Sequence, residues 1–68
     1  MNLSHFDRPF FSINTRIVYK GSINALYNEG GRVVAVIRGD ADSFDRYTVA
    51  LNNGGLLTGV RSVSLAYP

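Results

Sequence analysis

The tetrad Asn52-Asn53-Gly54-Gly55 lies between two short runs, Arg46–Leu51 and Leu56–Val60, that are rich in apolar and β-branched residues. Asn-Gly supplies the positive φ angles of a tight turn, so the pattern commits this stretch to an antiparallel hairpin. The same grammar runs through the rest of the chain. Thr15–Lys20 alternates and stops at Gly21-Ser22; Arg32–Arg38 alternates and stops at Gly39-Asp40. An irregular stretch, Ile23–Asn28, closes in the turn Asn28-Glu29-Gly30-Gly31, and Ser62–Tyr67 reads as one helical turn followed by a last short strand. No segment of helix length carries apolar residues at i, i+3, i+4 and i+7. The expectation is an all-β fold of five short strands.

Composition narrows the chemistry. With 68 residues and no cysteine, the chain has neither a disulfide framework nor a thiolate nucleophile, and every zinc site built on cysteine is excluded. A chain this short buries only about 60% of the surface its unfolded form exposes, so every aromatic residue matters to the core. The longest apolar run, Val33–Ile37, is far below the roughly 18 residues of a membrane helix. Met1–Phe11 has no basic flank leading into an apolar core, so no secretion signal is read there, and a cytoplasmic protein without membrane contact is expected. The net charge of +2 and a pI near 9.4 are compatible with nucleic acid, yet they equally serve solubility alone.

Strand parity assigns the faces. Ile17 and Tyr19, then Val33, Ala35 and Ile37, then Tyr47, Val49 and Leu51, then Leu56, Thr58 and Val60 are expected to point inward. The opposite parity places Arg16, Val18 and Lys20, Arg32, Val34, Val36 and Arg38, and Arg46, Thr48 and Ala50 outside. Three valines between cations are not an ordinary solvated face, and something is expected to cover them. Residues 1–14 form an N-terminal aromatic arm with Leu3, Phe6, Phe10, Phe11 and Ile13, in which Pro9 prevents a long helix and Ser4 with Asp7 offers a cap for one turn. This arm is read as packing over the sheet or one barrel end, with a contact to a partner as the sharper alternative.

The order Gly31-Arg32-Val33-Val34-Ala35-Val36, polar loop, Arg46-Tyr47-Thr48-Val49-Ala50-Leu51, glycine turn, Val60, then Ser62-Val63-Ser64-Leu65 resembles the Src-homology-3-like barrels of the Tudor and KOW type. The resemblance implies a five-stranded barrel over residues 15–68, with Thr15–Lys20 as first strand and Gly21–Gly31 as the long first loop. Barrels of this kind bind proline-rich peptides, methylated side chains, nucleic acids or protein partners, and fold alone does not choose among these. The chain departs from the peptide-binding version in having no tryptophan. Tyr27, Phe44 and Tyr67 are too scattered to define an aromatic cage and are expected to plug the barrel ends. The pore-lining Val-Gln-Ile-Tyr of the small tetrameric plasmid-borne dihydrofolate reductases has no counterpart in Leu56–Val60.

Catalytic signatures are thin. His5 is the sole imidazole, with Asp7 near it in sequence, and no nucleophile is placed against it. Asp40, Asp42 and Asp45 make an acidic loop without calcium-loop spacing, since Leu51 stands where the bidentate glutamate belongs. Gly30-Gly31 and Gly54-Gly55 lack phosphate-loop spacing and read as turns. No catalytic residue, cofactor or metal site is therefore assigned. The expectation is a non-enzymatic binding module, of the small regulatory or inhibitory kind that bacteria, phages and mobile elements encode. Its surface would be Val18, Arg32, Val34, Val36 and Arg38 with Phe10 and Phe11 of the arm, meeting a protein partner or a second copy of the chain. The alternative is RNA or DNA held by Arg16, Lys20, Arg32, Arg38 and Arg46.

Overall fold

A computed structural model describes residues 10–41 and 43–68; Leu3, Ser4, His5, Phe6, Asp7 and Pro9 of the arm, and Asp42 of the acidic loop, lie outside the described residues. Five strands follow in chain order: β1 (Arg16–Tyr19), β2 (Gly30–Ile37), β3 (Arg46–Leu51), β4 (Leu56–Val60) and β5 (Leu65–Ala66). Two single 3-10 turns, Asn24–Leu26 and Ser62–Ser64, interrupt the first loop and precede the last strand, and the described residues contain no α-helix. All pairings are antiparallel, in the order β4-β3-β2-β1-β5, so the last strand returns to the first. Leu65 on one edge strand and Leu57 and Val60 on the other pack against the same core, so the sheet curls into a half-barrel.

That core is Phe11, Ile17, Tyr19, Val33, Tyr47, Val49, Leu51 and Leu65, with Leu26, Val36, Leu57 and Val60 packed around it. Tyr47 is fully enclosed. Its hydroxyl accepts the Phe11 N–H at 3.2 Å, and the Phe11 ring meets its ring edge-on with centroids 5.8 Å apart. A buried phenol needs such a partner, and the end of the arm supplies it. Asn14 N–H continues the attachment by donating to the Val33 carbonyl at 2.7 Å. Phe11, expected among partner-binding residues, is thus 1% exposed and belongs to the core.

Two bulges correct the parity. Val33 faces Val49 and Ala35 faces Thr48, so Val34 is the extra residue of β2. Beyond it the faces exchange. Val36, expected outside, pairs with buried Tyr47 and packs on the core, whereas Ala35 and Ile37, expected inside, are exposed, Ile37 by 71%. On the other flank Tyr47 faces Val60 and Val49 faces Leu57, leaving Thr58 and Gly59 opposite Thr48 alone. Gly59 carries the bulge at φ 67°, a conformation that costs glycine little. Leu57 consequently turns inward, and Leu56 and Thr58, expected inside, are exposed.

Candidate interaction surface

The outer face of the curled sheet follows from the register. Arg16 lies opposite Arg32, Arg32 opposite Ala50, and Ala50 opposite Leu56, forming one row across four strands. Ala35 with Thr48, and Ile37 with Arg46, make the next rows on the same side. Val18 sits between Gly30 and Ala66 and is half-buried. Val34 is exposed at the bulge. The exposed large aliphatic side chains of strands β2 and β4 are therefore Val34, Ile37 and Leu56, rather than the expected trio of Val18, Val34 and Val36. Ile37 and Leu56 escape strict alternation; Gly59 inside β4 is a sequence signal for Leu56, and nothing in β2 signals Ile37.

The expected cationic set divides in two. Arg16, Arg32 and Arg46 stand on the outer face, and among the described residues none has an acidic partner. Arg38 follows the bulge to the other side. Its guanidinium stacks on the Phe10 ring at 4.2 Å, and its Nε lies 3.4 Å from Asp45 Oδ2. Asp45 is buried and also accepts the Gly39 N–H at 2.8 Å, so this carboxylate organises the β2–β3 loop. Lys20 lies past the end of β1, where its ammonium donates to Asn28 Oδ1 and sits 4.9 Å from the Tyr27 ring centroid. Neither Lys20 nor Arg38 joins the three arginines of the sheet face.

The aromatic residues are likewise distributed. Tyr27 serves Lys20, Phe44 lies 3.7 Å under the Arg61 guanidinium, and Tyr67 packs on Phe11 with centroids 5.0 Å apart. All three are more exposed than plugs of a barrel end, contrary to expectation, and they occupy three separate neighbourhoods. Phe10 is partly exposed and touches Tyr47 from the arm side, on the same end as Arg38. Among the described residues no group of His, Cys, Asp and Glu is arranged to hold a metal ion, and no helix is long and apolar enough to cross a membrane. No family model matches the chain, and neither a curated protein nor a solved structure matches it.

Proposed function

We propose that this chain is a non-enzymatic binding module of Src-homology-3-like architecture that works in the cytoplasm by contact with another protein. The strand order, with β5 returning to β1 after a 3-10 turn, supports the architectural part of this reading. The observation that carries the functional part is the outer sheet face, where exposed Val34, Ile37 and Leu56 lie among Arg16, Arg32 and Arg46. Aliphatic side chains interleaved with arginine match the composition of protein contacts, in which arginine is enriched and lysine depleted. Single-stranded nucleic acid calls for aromatic platforms beside its cations, and among the described residues the rings that meet a cation lie elsewhere. Pairing of two copies through the middle of this face sets like charges against each other, which favours a different partner.

Co-purification with the tagged chain tests the reading. The wild type is expected to retain a protein that Ile37→Ser/Leu56→Ser loses, while the far-ultraviolet circular dichroism of the variant is unchanged. Recovery of nucleic acid in place of protein, or equal retention by both chains, overturns it.

A further inference from the structure

Arg16 and Arg32 are direct partners across β1 and β2, which brings their Cβ atoms to roughly 5 Å and makes the pair electrostatically unfavourable. Among the described residues no carboxylate relieves it. Beside the pair lies an open hollow of about 420 Å³, whose lining includes Arg16, Val18, Arg32, Ala50, Asn52 and Pro68. Glycine at position 30 lets the Asn52 amide come down beside the hollow. A Cβ there would come within 2.9 Å of Asn52 Nδ2, and the Gly30 carbonyl accepts the Asn52 N–H at 2.9 Å, so the amide side chain lies close over the strand. Two guanidinium groups and one amide, none with a side-chain partner among the described residues, thus border one concavity with a partly apolar floor.

We infer that this hollow receives a carboxylate-bearing segment of the protein partner, an acidic side chain seated between Arg16 and Arg32 with Asn52 as a third donor. The inference rests on the protein-contact reading and names the partner's chemistry. A planar carboxylate matches the guanidinium fork, and a charge brought to the pair converts a repulsive contact into two attractive ones. Val18 and Ala50 suit the methylene stem of glutamate. Among the described residues that line this hollow there is no ring on which a nucleic-acid strand could stack a base. A second copy of the chain brings its own Arg16 and Arg32 to the same place.

The test titrates the isotope-labelled full chain with a short peptide alternating glutamate and alanine, with its glutamine counterpart, with inorganic phosphate and with a short single-stranded RNA. The glutamate peptide is expected to shift the Arg16 and Arg32 Nε–H signals and the amides of Gly30, Gly31 and Asn52; the glutamine peptide is expected to leave them in place. Arg16→Gln/Arg32→Gln is expected to weaken the peptide by about tenfold or more, and Arg46→Gln by about threefold or less. Shifts that map elsewhere, no shift with the glutamate peptide, or tighter capture of phosphate or RNA at the hollow each overturn the inference. If Arg16→Gln/Arg32→Gln keeps the co-purified protein and Ile37→Ser/Leu56→Ser loses it, the hollow fails while the protein-contact reading stands. If RNA binds with an affinity falling steeply with salt and no protein is retained, both fail.

Discussion

Arginine is treated in opposite ways at the two regions of this small sheet. At the β2–β3 loop, Arg38 and Arg61 each lie over an aromatic ring, and Arg38 also has Asp45 beside it. On the outer face, Arg16, Arg32 and Arg46 have neither ring nor acid from the described chain. The difference is not one of burial, since Arg38 remains 60% exposed despite its partners. It is one of saturation. The loop end has completed its electrostatics internally, whereas the face leaves charge that a second molecule can answer. A site read only from the count of cations misses this distinction, because it weighs Arg38 and Lys20 equally with Arg16 and Arg32.

The comparison breaks first at Asp45. Asp45→Ala removes the acceptor of the Gly39 N–H and the acid beside Arg38, and both changes fall inside the loop end. A loss of about 2 kcal/mol in urea unfolding is expected, with binding at the outer face retained once the fold is restored by lower temperature. An unfolding midpoint equal to that of the wild type would mean that the loop end is no more self-sufficient than the face.

A smaller effect sharpens the boundary between the two regions, which is drawn by the β2 bulge. Val36→Ser takes methyl groups from the core beside Tyr47 and is expected to cost about 1–2 kcal/mol. Ile37→Ser touches solvent and is expected to stay within about 0.5 kcal/mol of the wild type. Unbroken alternation from Val33 demands the reverse order, so paired melts of these neighbours decide the register.

The register also explains what was legible in the sequence. The hairpin Arg46–Leu51 and Leu56–Val60 stands where the Asn-Gly signal places it, with Gly54 at φ 95°. The 3-10 turn and short strand near the end are also where the residues place them. Gly30-Gly31, expected to form a turn, does not. Both residues sit inside β2, because a side chain at Gly31 would come within 2.7 Å of the Ala50 carbonyl, and close approach of a neighbouring strand selects glycine as strongly as a turn does. A bulge adds one residue without any change in composition, so the exchange of Val36 for Ile37 was invisible to period-two reading. Within the site, Arg16, Arg32 and Arg46 precede or share the regular part of the register and were read on the right face. The sequence marks Asn52 only as a turn residue; its place over Gly30 depends on how β3 returns beside β2.

The smallest expected effect is also the one whose sign matters most. Arg16→Glu turns the cross-strand pair with Arg32 from repulsive to attractive. The variant is expected to gain about 0.5 kcal/mol, a rise of a few degrees in Tm for a domain of this size, while losing the acidic peptide. Salt separates this gain from a change in packing. Screening relieves the wild-type pair and weakens the variant pair, so added salt is expected to narrow the difference between the two melts. A chain that becomes more stable on losing its binding has held unfavourable charge in place for a ligand. A variant less stable than the wild type, or a difference indifferent to salt, would instead make Arg16 and Arg32 ordinary solvated side chains, and the contrast between the two regions would lose its functional meaning.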